Sequence, residues 1–202
     1  MLRTKKISPD VWEISGGVQP SSNLYYLVSL RTIIDTGASA NKAELKEIFT
    51  VIDLDPSTIK TVILTHFHYD HIGNVDFFKN ATFYASREEI SSYHLAPYKT
   101  TGSPKKLLHA IKVLPIPERL QTLRVIHAPG HTRGSICLYK EDDGILFTGD
   151  TLFRNGAVGF TGLPTSVPGK IQETLQKLLK LPYKELGPGH NLEDGLLLQQ
   201  HH

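Results

Sequence analysis

The segment Thr65-His66-Phe67-His68-Tyr69-Asp70-His71 constrains this chain most, because four side chains that can bind metal ions fall within six residues. It follows the apolar run Val62-Ile63-Leu64, which is typical of a buried strand. A strand that ends in imidazoles and a carboxylate places these groups at the rigid edge of a sheet. Imidazole nitrogens and carboxylate oxygens are ligands of zinc and similar ions. The segment therefore predicts a metal site at a sheet edge.

Three further candidate ligands, His131, Asp150 and His190, lie beside glycines at the ends of strand-like runs. With the first cluster they make five histidines and two aspartates. A site for one ion needs about three protein ligands and an open position. Seven ligands therefore indicate two divalent ions that share a bridging carboxylate. Nitrogen and oxygen donors suit zinc, iron or manganese.

Composition limits the class of protein. The 202 residues are 40% hydrophobic, which predicts one domain over residues 1–202. The 22 basic and 20 acidic residues give a net charge of +2, which does not indicate a nucleic-acid partner. No apolar run approaches the roughly 20 residues of a membrane helix. A single cysteine and the absence of a signal-peptide pattern predict a soluble cytoplasmic protein. The sequence does not indicate an oligomeric state.

Hydrophobic patterns predict short strands and amphipathic helices in two successive halves. One helix is predicted to begin at Asn41, with Glu44 completing a capping box, and another at Ser86, with Glu89 in the same role. Residues 98–118 and the glycine-rich loop 154–167 receive no firm assignment, although a short helix is suggested over Lys105 to Ile111 and another over Asn191 to Gln200. The predicted strands are Val11 to Ser15, Asn23 to Ser29, Arg31 to Asp35, Thr61 to Leu64, Thr82 to Ala85, Thr122 to Ile126, Ser135 to Tyr139 and Ile145 to Phe147, and the third helix is Lys170 to Leu181.

The motif His66-x-His68-x-Asp70-His71, followed by the three later candidates, resembles that of the metallo-β-lactamase superfamily. Its flanking segments agree: Ile34-Asp35-Thr36-Gly37, Pro129-Gly130-His131-Thr132, Phe147-Thr148-Gly149-Asp150 and Gly187-Pro188-Gly189-His190. The resemblance covers about Val11 to His190. It implies an α+β fold, a four-layer αβ/βα sandwich of two mixed sheets with helices outside and metals between the sheets at one edge.

The resemblance also implies a role for each candidate. Asp150 corresponds to the bridging ligand, and Asp35 to a residue behind the site that orients ligands by hydrogen bonding. The first metal would be held by His66, His68 and His131, and the second by Asp70, His71 and His190.

The reaction that the resemblance implies is hydrolysis of a small-molecule substrate, and zinc is the expected metal for such a hydrolase. Two ions lower the pKa of a shared water, so that hydroxide can attack a carbonyl carbon near neutral pH. Asp70 is the candidate acceptor for the proton of that water. The candidate substrate contacts are Tyr69, between two ligands, and Phe153, Arg154 and Asn155, after the bridging position.

Within the superfamily, the residues favour the hydroxyacylglutathione hydrolase (glyoxalase II) branch. Common β-lactamases carry cysteine where Asp150 stands, and oxygen-reducing diiron relatives carry glutamate where His68 stands. Asp150-Thr151-Leu152-Phe153 resembles the thioesterase branch. Residues 156–160 lack the branch's Gly-x-Gly-Arg pattern, and the chain stops at His202 without its added helical region. A persulfide dioxygenase with one iron, a lactonase or other ester hydrolase, and a non-catalytic metal-binding protein therefore remain alternatives.

Overall fold

Two mixed β-sheets form the centre of the protein in the computed structural model, which describes residues 1–103, 108–109 and 111–191. The first sheet has seven strands that follow one another in chain order. Neighbours from β1 to β4 are antiparallel, and those from β4 to β7 are parallel. The strands are β1 (Leu2–Ser8), β2 (Val11–Gly16), β3 (Leu24–Leu27), β4 (Thr32–Ile34), β5 (Thr61–Ile63), β6 (Thr82–Ala85) and β7 (Val113–Pro115).

The second sheet is built from the later part of the chain. Its five strands lie in the order β12-β11-β10-β9-β8, antiparallel except for the parallel pair β11 and β12. The strands are β8 (Arg119–Leu120), β9 (Leu123–His127), β10 (Ile136–Lys140), β11 (Ile145–Gly149) and β12 (Glu185–Pro188).

Strand alternation divides the buried side chains between two sides of each sheet. In β10, Leu138 joins the cluster between the sheets, whereas Cys137 and Tyr139 join a cluster on the other face. In β4, Ile34 faces the second sheet and Ile33 the opposite side. Because successive strand residues point to opposite faces, both faces of each sheet are apolar and both must be covered.

Helices cover the outer faces. Helix α1 (Lys42–Val51) buries Leu45 and Phe49 against the first sheet, and α5 (Ile171–Leu178) buries Leu178 against the second. The other helices are α2 (Tyr69–Ile72), α3 (Arg87–Leu95) and α4 (Pro97–Thr101), with 3₁₀ turns at Ser39–Asn41, Pro56–Thr58, Val75–Phe78 and Pro168–Lys170. The arrangement confirms the predicted α+β class and four-layer sandwich.

Of the two predicted capping boxes, one is confirmed in part and the other is wrong. The capping box at Ser86 is confirmed in its first half, because Ser86 Oγ accepts a hydrogen bond from Glu89 N at 3.1 Å. The box at Asn41 is wrong. The Asn41 side chain instead accepts from Val18 N at 2.7 Å, and Glu44 accepts from Leu2 N.

Two suggested helices lie wholly or partly outside the described residues: Asn191 to Gln200 almost entirely, and Lys105 to Ile111 in large part. No helix in the described part of the chain has the length and apolar character that a bilayer crossing requires.

Candidate metal centre

The first cluster lies where the edge of the first sheet meets a short helix. Strand β5 ends at Ile63, and after Leu64 and Thr65 the chain turns through His66 into α2, whose N-cap is His68. His66 and His71 are fully buried, and Asp70 is 8% exposed. The strand and helix together therefore direct four candidate ligands toward one place, as the sequence predicts.

The other three candidates reach the same place from the second sheet. His131 follows β9, Asp150 comes directly after β11, and His190 lies two residues after β12. The backbone at Gly189 approaches the carboxylate so closely that an added Cβ would lie 2.1 Å from Asp150 Oδ1. Glycine is therefore required there by space.

Six of the seven side chains form two adjoining groups. In the first, His68 Nδ1 lies 3.1 Å from His66 Nε2 and 2.9 Å from His131 Nε2. In the second, the ligand atoms of Asp70, His71 and His190 lie within 4.8 Å of one another. Nitrogens as close as those of the first group require either protons or a cation between them.

Asp150 lies between the two groups. Its Oδ2 is 3.5 Å from His131 Nε2 and 3.5 Å from His190 Nε2, while its Oδ1 is 3.3 Å from His71 Nε2. A carboxylate in this position can offer one oxygen to each of two ions.

Two orphaned atoms fit a metal ion. His71 Nε2 and Asp150 Oδ1 are buried and have no hydrogen-bond partner. Unsatisfied buried polar atoms are costly, and a divalent cation would satisfy both. The donor set of imidazole nitrogens and carboxylate oxygens also suits zinc, iron or manganese.

Hydrogen bonds on the far side of three imidazoles select the nitrogen that faces the cluster. His71 Nδ1 lies 2.8 Å from Asp35 Oδ2, and His131 Nδ1 lies 2.8 Å from the Phe160 carbonyl oxygen. Both contacts assign the proton to Nδ1 and leave the Nε2 lone pair for a metal. His68 is reversed: its Nε2 lies 3.3 Å from Thr165 Oγ1, and its Nδ1 faces the cluster.

Asp35 occupies the supporting position that the resemblance implies. It is buried behind the cluster and takes a left-handed backbone conformation, with φ of 55°. Its carboxylate accepts hydrogen bonds from Thr65 N at 2.8 Å and Thr65 Oγ1 at 2.7 Å, in addition to His71 Nδ1. It therefore connects the start of the histidine motif to an imidazole of the second group.

Protonation differs between the two groups when no metal is bound. Burial and the neighbouring His131 lower the pKa of His68 to about 3, so its ring is neutral. Burial also opposes protonation of His190, but the Asp150 and Asp70 carboxylates outweigh it and raise its pKa to about 9. The first group thus consists of neutral donors, whereas in the second a proton occupies the place that a metal cation would take.

A cavity of about 820 Å³ opens over the cluster. The cluster contributes His68, Asp70, Asp150 and His190 to its lining, and the predicted contact Tyr69 lines it as well. The remaining lining residues come from the loop before β3, from α4 and the segment after it, and from the loop before α5, the last three regions lying within the two segments that the sequence left without firm assignment: Pro20, Tyr98, Lys99, Thr101, Gly102, Ser103, Leu163, Pro164 and Thr165.

The other three predicted substrate contacts are not among the residues that line this cavity. Phe153 is buried, with its ring centroid 6.2 Å from that of His190. Asn155 accepts a hydrogen bond from Ala157 N within its own loop. Arg154 forms an ion pair with buried Glu13 at 2.6 Å and is not among the residues that line the cavity.

Comparison with known proteins agrees with this geometry. A curated hydroxyacylglutathione hydrolase from Methylobacillus flagellatus is 33% identical over 162 residues, covering 77% of this chain and 60% of the relative. A probable metallo-hydrolase from Methanocaldococcus jannaschii is 30% identical over 160 residues, covering 78% of this chain and 70% of the relative. The chain thus spans well under the full length of the hydroxyacylglutathione hydrolase.

Solved structures and a family model complete the comparison. A metallo-β-lactamase family protein from Thermus thermophilus superposes with a TM-score of 0.74 at 23% identity, covering 93% of this chain and 75% of that one. A protein crystallised in a di-iron-bound form gives a TM-score of 0.65 at 27% identity, with 94% and 92% coverage. The metallo-beta-lactamase superfamily model matches residues 16–190. This chain therefore belongs to the metallo-β-lactamase superfamily, and it carries a His/Asp cluster suited to metal ions.

Proposed function

We propose that the protein hydrolyses thioesters of the hydroxyacylglutathione type, using two divalent metal ions, expected to be zinc. The observation that carries this proposal is the position of Asp150 between the two groups of donors. The names of several curated relatives support the choice of thioester. The first ion would be held by His66, His68 and His131, the second by Asp70, His71 and His190, and both by Asp150.

When bound, the ions would lower the pKa of water so that it loses a proton near neutral pH, and would polarise the acyl carbonyl. The chain's own groups supply the positioning. Asp35 and the Phe160 carbonyl hold the Nδ1–H groups of His71 and His131, so Nε2 of each ring faces the cluster before any ion arrives. This preorganisation avoids a rotation of the rings when metal binds.

Asp70 fits a ligand role better than that of general base. Burial raises its pKa, but His71 and His190 outweigh burial and lower the value to about 2. A carboxylate with so low a pKa accepts a proton weakly near neutral pH. We therefore assign Asp70 the role of a ligand of the second ion. The proton of the attacking water would pass to solvent in the cavity.

The cavity supports a substrate with an apolar part and an anionic part. Tyr69 and Tyr98 are large apolar side chains exposed at its wall, and Lys99 is the one lysine or arginine among its described lining residues. A carboxylate of a glutathione thioester would form an ion pair with the Lys99 ammonium group on α4. This contact would replace the Arg154 contact that the sequence suggested.

The test is thiol release from S-lactoylglutathione by protein of known metal content. We expect turnover that a chelator abolishes and added metal restores. Lys99→Gln should raise KM with little change in kcat, whereas Lys60→Gln, an exposed change at the start of β5 away from the cluster, should alter neither. No turnover by fully metallated protein would refute the thioesterase proposal, and lactone hydrolysis and oxygen uptake with glutathione persulfide would then be measured.

A further inference from the structure

Glu89 is a buried carboxylate that the mechanism does not use. It lies in the first turn of α3 and is 1% exposed. Among the residues that the structure describes, no cationic side chain lies within 4.0 Å of it. A buried carboxylate is costly unless hydrogen bonds compensate its lost hydration, so its partners explain its position.

Its three donors come from the two loops that carry the first group of histidines. Oε2 accepts from Phe67 N at 3.1 Å, and Phe67 stands between His66 and His68. Oε1 accepts from Gly134 N at 3.2 Å and from the hydroxyl of Thr132, the residue after His131. One carboxylate thus connects loops from two different sheets, 65 residues apart along the chain between Phe67 and Thr132.

The N-terminus of α3 holds the second loop at a fixed distance. Ser86 Oγ caps α3 and donates to the Gly134 carbonyl oxygen at 2.6 Å. An added Cβ at Gly134 would lie 2.5 Å from Glu89 N and 2.6 Å from Ser86 Oγ. The loop after His131 therefore rests directly on the helix that presents the carboxylate.

We propose that Glu89 is a positioning residue that sets the separation between His131 and the His66–His68 loop, and thereby the affinity of the first group for its metal ion. The inference rests on the metal site of the proposed function. The 2.9 Å approach of His68 Nδ1 to His131 Nε2 spans the two loops that Glu89 connects. Since the second group draws its ligands from α2 and the segment after β12, the effect should be confined to one of two ions.

Glu89→Gln is the direct test because the shape of the side chain is kept. An amide offers one acceptor oxygen, so it cannot accept from Phe67 N and Gly134 N at the same time. Glu88→Gln is the matched control, since Glu88 lies in the same helical turn with a side chain 44% exposed and its nearest ion-pair contact, His127, at 3.9 Å. Stepwise Co²⁺ dissociation constants would be measured by competition with a chromogenic chelator, alongside thermal melts of the metal-free proteins.

We expect Glu89→Gln to weaken binding of one ion about tenfold and leave the other within twofold of the parent. Two dissociation constants equal to those of the parent, or both weakened alike, would overturn the proposal, because a merely structural role affects both sites together. The assay needs no substrate, so absence of thioesterase activity would refute the proposed function alone.

Thr132→Val and Thr132→Ser test the same contact if Glu89→Gln does not fold. Valine removes the hydroxyl donor to Glu89, and serine restores it. We expect valine to weaken one ion severalfold and serine to recover the parent value. Parent-like binding by the valine variant would overturn the inference.

Discussion

Asp35→Asn tests how the protein prepares His71 to receive a metal. Asparagine keeps the shape of the side chain and tolerates the left-handed backbone at φ 55°. In the parent, Asp35 Oδ1 accepts from Thr65 N, and Oδ2 accepts from both Thr65 Oγ1 and His71 Nδ1. Because Thr65 N can only donate, the amide oxygen of the variant must take the Oδ1 position and its NH₂ group the Oδ2 position.

The NH₂ group would then face His71 Nδ1, which lies 2.8 Å from Oδ2 in the parent. Two donors cannot share that contact, so a neutral His71 ring must carry its one proton on Nε2, the atom that faces Asp150. A protonated Nε2 has no lone pair for a metal. The loss of such a supporting partner typically lowers metal affinity about 10–100-fold, which corresponds to about 1.4–2.7 kcal/mol.

Burial opposes protonation of His71, but Asp150 and Asp35 outweigh burial and raise its pKa in the metal-free protein. The assay therefore combines stepwise metal titration with histidine ¹⁵N chemical shifts of the metal-free protein recorded above that pKa, where the ring is neutral and the shifts report its tautomer. Asp142→Asn is the control, an exposed carboxamide change in the turn before β11, at the end away from Asp150. Parent-like affinity for both ions in Asp35→Asn, with Nδ1 of His71 still protonated, would refute the reasoning.

Three further predictions concern the cluster itself. Asp150→Ala should lose at least one metal equivalent, measured by mass spectrometry of bound metal, together with the hydrolase activity; two retained ions would refute the bridging role. His190→Ala should weaken chiefly one ion in a stepwise titration, and undiminished binding of two would remove it from the ligand set. In metal-free protein, the lowered pKa of His68, about 3, destabilises the fold as pH falls below about 6.5, because only the unfolded chain takes up that proton. The raised pKa of His190, about 9, gives stability that is present below about 6.5 and lost as pH rises toward 9, so the melting temperature should peak near pH 6.5 rather than stay flat.

Much of the fold could be predicted because the central strands have apolar side chains on both faces of their sheet. Residues 136–140 and 145–149 are buried throughout, so their hydrophobic pattern was visible in the sequence. Strand β1 was missed because it is an edge strand in which only Leu2 is fully buried, and its lysines and threonine give no apolar pattern. The edge position explains its polar composition.

The candidate ligands in residues 66–71 could be predicted because they are close together in the sequence and their chemistry is specific. The three distant ones could be predicted because each lies beside a glycine at the end of a strand-like run. Contacts between distant segments could not. The position of Arg154 depends on Glu13, 141 residues away, and that of Glu44 on Leu2, 42 residues away. Glu89 was predicted only as half of a capping box, because nothing in the local sequence indicates Phe67 or Thr132 as its partners.

The central claim, that this chain is a hydrolase dependent on two ions that meet at Asp150, is tested most directly by activity at defined metal occupancy. Metal-free protein would be titrated with Zn²⁺ while S-lactoylglutathione hydrolysis and bound metal are measured in the same samples. The account predicts that kcat reaches its maximum only when about two ions are bound per chain. A maximum at one ion, unchanged by the second, would contradict it.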